Sequence, residues 1–124
     1  MELGLSIAAL DSAVAKAITT AALTVYRGYP KALGDYLRST DLRVGSVLSD
    51  AALLSTSRSD EVAKRFADWP EGLMVRIFIR AGSKALDVAP YSMHPDEEEI
   101  LLPRGTRLRI VGYDGANVLD AEVI

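Results

Sequence analysis

The chain has 124 residues, 49% of them hydrophobic and 25% charged, which is the balance of an ordinary globular protein. This length suits one domain, so we expect residues 1–124 to form a single domain. A formal net charge of -3 disfavours a nucleic acid as partner, because it gives little attraction to a phosphate backbone.

Missing residue types exclude several kinds of site. The chain has no cysteine, so disulfides, thiolate metal sites and a cysteine nucleophile are excluded. His94 is the only histidine, which argues against a histidine metal cluster and a Ser-His-Asp triad. No apolar run of about 18 residues occurs, and Glu2 stands where a signal peptide carries basic residues. We therefore expect neither a membrane span nor a signal peptide in this chain.

The first half of the chain predicts helices that alternate with short strands. Apolar residues recur three or four positions apart from Ile7 to Ala21, which predicts an amphipathic helix over residues 5–22. Serine and acidic residues at 57–61 suit the start of a helix that ends near residue 66 or 68. Between these two helices we expect a strand at 23–27, a helix at 30–39, an irregular stretch at 41–50 and a strand at 52–55.

The second half predicts mostly strands. After a turn at 69–72, apolar residues alternate over 73–80, as in a strand with one buried face. Further strands are expected at 85–88, Glu99–Leu102, Arg107–Tyr113 and 118–124, with a loop at 89–96 and a hairpin turn at Asp114-Gly115. This order predicts the α+β class with an antiparallel or mixed sheet.

Three short polar motifs occur along the chain. They are Tyr26-Arg27-Gly28, Ser55-Thr56-Ser57 and Glu97-Glu98-Glu99. Taken alone, each has an ordinary interpretation: a surface arginine, a helix cap and a solvated acidic stretch. The functional interpretations are a guanidinium that clamps a phosphate, a hydroxyl that orients a carboxylate, and carboxylates that act on a substrate.

The glutamate motif differs from a solvated acidic run because it continues directly into Ile100-Leu101-Leu102, a strand expected to be buried. In a strand, residues two positions apart share a face. We therefore expect Glu97 and Glu99 to point into one cleft, about 6–7 Å apart, and Glu98 to point away.

Together the three motifs resemble the arginine–serine–glutamate class of ADP-ribosyltransferases, the group with iota-like and clostridial exoenzyme-like toxin domains. The matching segments are Thr24-Val25-Tyr26-Arg27-Gly28, Val44-Gly45, Leu54-Ser55-Thr56-Ser57 and the run from Glu97 to Thr106. The resemblance implies an ADP-ribosyltransferase-like fold, in which two small, roughly perpendicular, mainly antiparallel sheets and their flanking helices surround an NAD cleft. It implies no metal.

The resemblance also implies a role for each motif residue. Arg27 would contact the phosphates or nearby ribose of NAD, Ser55 would hold the catalytic Glu99, and Glu97 would favour arginine as the acceptor. Phe66 would stack on nicotinamide, although a core phenylalanine is an equal alternative at that position. The other residues expected to bind NAD are Tyr26, Gly28, Thr56 and Ser57.

The function implied is an NAD-dependent mono-ADP-ribosyltransferase that modifies an arginine of a target protein, as a bacterial toxin or effector domain. We expect it to be secreted or delivered into the cytoplasm of a target cell, where residues 91–96 would meet the target protein. A protein that confers immunity could occupy the cleft. Two alternatives stay open: an NAD glycohydrolase with water as acceptor, and a non-catalytic interaction domain that keeps the fold.

Overall fold

A computed structural model describes residues 6–124, which form helices packed on a mixed β-sheet. The elements are α1 (Ile7–Lys16), β1 (Leu23–Tyr29), α2 (Lys31–Arg38), β2 (Val47–Ser49), β3 (Leu54–Ser57), α3 (Asp60–Phe66), β4 (Leu73–Ile79), β5 (Leu86–Asp87), β6 (Glu99–Leu102), β7 (Arg107–Tyr113) and β8 (Val118–Val123). The predicted α+β class is confirmed. None of the helices in the described range is long and apolar enough to cross a membrane.

The strands follow the order β2-β7-β8-β4-β1-β3-β6-β5. Neighbouring strands run antiparallel, apart from β4 and β8, which run parallel. β1 pairs with β4 along its whole length but meets β3 through the Tyr26–Ser57 pair. The hydrogen-bonded pairing is therefore shortest between β1 and β3. This short contact divides the sheet into a five-stranded half that ends at β1 and a three-stranded half formed by β3, β6 and β5.

Apolar residues are buried on both faces of β6. Ile100 and Leu102 belong to the main core between the strands, while Leu101 packs in a second cluster with Leu10 and Val14 of α1. Burying each such side chain contributes about 1.5–3 kcal/mol relative to exposure. Because both faces of β6 are anchored, the residue that begins this strand, Glu99, has a well-defined position.

Helix α1 is shorter than the predicted helix over 5–22. It ends at Lys16, and Ala17 already has an extended backbone. The chain then pairs with the segment before β5, through the Ile18–Lys84 bridge and the bond from the Thr19 amide to the Ser83 carbonyl at 2.8 Å. Ile18 is 62% exposed, so it does not belong to the buried face of the helix, although its position fits the apolar spacing of that face. Residue 5 lies outside the described residues.

Other boundaries also differ from the sequence predictions. The stretch 41–50, predicted to be irregular, contains β2, which pairs with β7. The predicted strand at 52–55 lies two residues later, at Leu54–Ser57, because its partner β6 extends to Glu99. Ser57 is thus the last residue of a strand, and α3 is capped instead by the hydroxyl of Ser59, which accepts from the Val62 amide.

Helix α3 packs directly on β1 at Gly28. A Cβ at Gly28 would lie 1.9 Å from the carbonyl oxygen of Ala63 and 2.9 Å from the amide nitrogen of Ala67. No side chain fits between these two backbones, so glycine is required here by close approach rather than by a turn. Gly28 thereby fixes how near α3 comes to the junction of β1 and β3.

We predict that Gly28→Ala lowers the free energy of unfolding by about 3 kcal/mol or more, since a backbone must move to admit the methyl group. Gly112→Ala is the control, because its Cβ would meet no atom closer than 3.5 Å. Urea unfolding of both variants measures the difference. Equal stabilities would contradict the packing described for α3.

Candidate functional site

A cleft of about 370 Å³ opens where β1 meets β3, between the start of β6 and helix α3. All three polar motifs contribute to its wall. The lining residues are Tyr26, Arg27, Gly28, Pro30, Ser55, Thr56, Ser57, Val62, Ala63, Phe66, Glu97 and Glu99. Every residue that the sequence placed in the site therefore lies at this one cleft.

Glu99 is the most deeply buried charged residue of the cleft, with 6% of its surface exposed. In the ladder it pairs with Ser57, and Ser55 lies two residues along β3 on the same face. Such diagonal neighbours are close enough for side chains to touch. The hydroxyl of Ser55 accordingly donates a hydrogen bond to Oε2 of Glu99.

The ionisation of Glu99 reflects two opposing effects. Burial raises the pKa of the Glu99 carboxyl above its usual value, and the nearby Glu97 adds a smaller effect in the same direction. The hydrogen bond from Ser55 works against both, because it stabilises the charged form. The hydrogen bond from Ser55 thus helps keep Glu99 ionised at a buried position that disfavours the charged form.

Arg27 lies beside this pair and is fixed by Ser55 as well. Its Nη1 donates to the backbone carbonyl of Ser55 at 2.7 Å, and the guanidinium lies 4.9 Å from the centre of the Tyr29 ring. Its buried Nε finds no hydrogen-bond acceptor within residues 6–124. A fixed cation with an unused buried donor is suited to binding an anion.

Glu97 reaches the cleft by a different route from the one predicted. The strand begins only at Glu99; Glu97 ends a short 3-10 turn, Pro95–Glu97, and Glu98 follows in the left-handed region at φ 49° and ψ 46°. The prediction that strand alternation aligns Glu97 with Glu99 was therefore wrong. Pro95 starts the turn with its fixed φ, and the turn brings Glu97 to the cleft while the Glu98 side chain is exposed.

The hydroxyls of Thr56 and Ser57 are both engaged within the protein. Thr56 donates to the Ile100 carbonyl at 2.8 Å, a bond that ties β3 to β6. Ser57 donates to the Glu97 carbonyl at 2.6 Å. These two residues line the cleft mainly as parts of its framework.

The apolar wall of the cleft comes from α3. Phe66 is 58% exposed and lines the cleft, so it is not the core residue that remained as an alternative. Val62, one helical turn earlier, and Ala63 complete this wall. The sequence predictions missed Val62, although its spacing of four from Phe66 places both on one helix face.

Two further features lie outside the cleft lining. Arg58 lies 3.7 Å from Asp87 in an exposed ion pair. In the segment 91–96, Tyr91 and Met93 are exposed, Met93 by 71%.

Within residues 6–124 no group of three potential metal-ligating side chains occurs.

Comparison with known proteins identifies related sequences. The family model described as ADP-ribosyltransferase exoenzyme matches residues 1–122. Exoenzyme T of Pseudomonas aeruginosa is 40% identical over 79 residues, which cover 62% of this chain and 16% of that protein. A Mycobacterium avium protein, Mav, whose name assigns it transfer from NAD to arginine, is 39% identical over 69 residues, 56% of this chain and 8% of Mav. The chain thus spans less than a fifth of either relative.

Solved structures share the fold. The C3 exoenzyme of Clostridium limosum matches with a TM-score of 0.73 and 20% identity, over 93% of this chain and 65% of that one. This likeness supports the architecture of two sheet halves around a cleft. With the family model covering nearly the whole sequence, the chain belongs to the ADP-ribosyltransferase exoenzyme family.

Proposed function

We propose that this chain is the catalytic domain of a toxin or effector that cleaves NAD and transfers ADP-ribose to an arginine of a target protein. The observation that carries the proposal is the buried Glu99 carboxylate bonded to Ser55, whose carbonyl also fixes Arg27. Family membership supports the transferase activity. The domain boundaries 1–124 are part of the same proposal.

The residues present fit NAD. The unused Nε donor of Arg27 supports binding of a phosphate oxygen, since charged donors pair strongly with phosphate. The exposed ring of Phe66 on the cleft wall supports stacking against nicotinamide. Tyr26 and Gly28 line the same cleft from β1.

Glu99 would supply the main chemical effect. When the bond between ribose and nicotinamide breaks, the ribose develops positive charge, as in glycoside hydrolysis. A fixed carboxylate in a partly dry site stabilises that charge strongly. Nicotinamide leaves neutral with the bonding electron pair, so no general acid is needed.

Glu97 would act on the acceptor. A carboxylate can orient a guanidinium and take the proton that its nitrogen loses as it bonds to the ribose carbon. The position of Glu97 on the cleft wall, less buried than Glu99, supports contact with an incoming side chain. The name of Mav, which assigns that relative transfer to arginine, supports arginine as the acceptor.

Delivery and partners follow as expectations of the same proposal. The exposed Tyr91 and Met93 support residues 91–96 as the surface that meets the target protein. The description of the family as exoenzymes supports release or injection and action in the cytoplasm of a target cell. An immunity protein that binds the cleft in the producing bacterium is part of the same proposal.

The two glutamates should have separable effects. We predict that Glu99→Gln lowers NAD cleavage about 100- to 1,000-fold, since it removes the charge opposite the ribose. Glu97→Gln should lower transfer to a guanidine acceptor about 100-fold and leave hydrolysis of NAD intact. Glu98→Gln is the matched control, with an exposed side chain, and should do neither. Labelled ADP-ribose transfer and nicotinamide release measure the two reactions.

These two measurements, together with calorimetry of NAD binding, separate the alternatives. Nicotinamide release that no guanidine or protein acceptor increases would favour an NAD glycohydrolase. Absence of both turnover and NAD binding by calorimetry would favour a non-catalytic interaction domain. Equal labelling by the wild type and Glu99→Gln would contradict the proposed role of Glu99. Thermal unfolding of each variant verifies that it is folded.

The pH dependence of NAD cleavage should follow the pKa of Glu99. Because burial raises the pKa of Glu99 above that of an ordinary glutamate, activity should already fall at a pH where an ordinary glutamate is still ionised. Ser55→Ala removes the hydrogen bond that lowers the pKa, so the acid limb of the profile should move to higher pH. Ser39→Ala, whose hydroxyl bonds the Tyr36 carbonyl away from the cleft, is the control. An unmoved acid limb in Ser55→Ala would count against this account.

A further inference from the structure

We propose that Ser57 is a positioning residue for Glu97: its hydroxyl holds the turn that carries Glu97, and thereby sets how much ADP-ribose goes to a guanidine acceptor rather than to water. The proposal rests on the function proposed above and adds a determinant of acceptor use. In this proposal Ser57 affects the part of the cleft where the acceptor binds.

The contacts of Ser57 join three segments. The residue is 5% exposed. Its Oγ donates to the Glu97 carbonyl at 2.6 Å and accepts from the Ser59 amide at 2.9 Å. One hydroxyl thus links the end of β3, the cap of α3 and the turn that carries Glu97.

The Glu97 turn needs such a link because the β3–β6 ladder stops before it. The last ladder pair is Ser57–Glu99. Beyond it, Glu98 adopts left-handed backbone angles, which are unfavourable for a residue with a side chain. Strained backbone of this kind persists only where surrounding contacts hold it.

Among residues 6–124, few hydrogen bonds hold the turn. Within the turn, the amides of Glu97 and Glu98 donate to the carbonyls of His94 and Pro95. Two bonds join the turn to the end of β3 and the residue after it. The Ser57 hydroxyl donates to the Glu97 carbonyl, and the Arg58 amide donates to the Glu98 carbonyl at 3.0 Å. Of these two, the Ser57 bond is the one made to Glu97 itself.

Glu99 does not share this dependence. Its backbone is held by the ladder, its neighbours Ile100 and Leu101 are buried, and its carboxylate is bonded by Ser55. Loss of the Ser57 hydroxyl therefore loosens Glu97 while the contacts of Glu99 remain. Transfer and hydrolysis should respond differently, which a general loss of structure would not produce.

The test compares Ser57→Ala with the wild type, using agmatine as a small guanidine acceptor so that docking of a target protein plays no part. The ratio of transfer to hydrolysis should fall about three- to tenfold, the effect of losing one hydrogen bond. Amide hydrogen exchange over residues 95–98 should become faster. Ser57→Thr keeps the hydroxyl and should restore the ratio.

Thr106→Val is the matched control. Thr106 is also buried and donates to a carbonyl, that of Pro103 at 2.6 Å, but it lies in the turn between β6 and β7 and outside the cleft lining. This variant should change neither the ratio nor exchange over residues 95–98. Ser57→Cys, whose thiol is only a weak hydrogen-bond donor, replaces Ser57→Ala in the comparison if the alanine variant does not fold.

Two results would overturn the proposal. One is a parallel fall of transfer and hydrolysis with an unchanged ratio; the other is unchanged exchange over residues 95–98 in a folded Ser57→Ala. A wild type with neither reaction would instead contradict the proposed function, and the exchange measurement would still decide whether Ser57 holds the turn.

Discussion

The site depends on one residue, Ser55, which binds two opposite charges at once. Its carbonyl accepts from Arg27 and its hydroxyl donates to Glu99. Both bonds follow from strand register: β3 pairs with β6 so that Ser55 is diagonal to Glu99, and β1 brings Arg27 alongside at the narrow junction of the sheet halves. A slip of one residue in either pairing would turn these side chains to the opposite face.

Burial of Glu99 is a cost that the rest of the fold offsets. Its raised pKa means that ionisation opposes folding: the stabilising contribution of this group is present below the usual glutamate pKa and is lost as pH rises through the raised value. Apolar packing on both faces of β6 and the close approach of α3 at Gly28 supply the opposing stability. Strain and desolvation gathered at one cleft are typical of functional sites.

Much of this arrangement could be predicted from residue order. Glutamate followed by three apolar residues predicted β6 at its observed bounds, and the family resemblance that the three motifs carry implied that Arg27, Ser55 and Glu99 would lie together. Propensity could not predict that Ile18 would leave the helix to pair with Lys84, because that depends on a distant segment. Strand spacing likewise failed for Glu97, where a proline turn and a left-handed Glu98 replace the strand.

The two glutamates reach the cleft from different elements, which is why we assign them different proposed roles. Glu99 is held by the sheet, whereas Glu97 is held by a turn that forms part of the cleft wall. Mass spectrometry of proteins from a target-cell extract, after incubation with this protein and NAD, tests the proposed roles most directly. We expect ADP-ribose on arginine side chains with the wild type and none when Glu99→Gln replaces it. Modification confined to other residue types, or no modification with either protein, would contradict these roles.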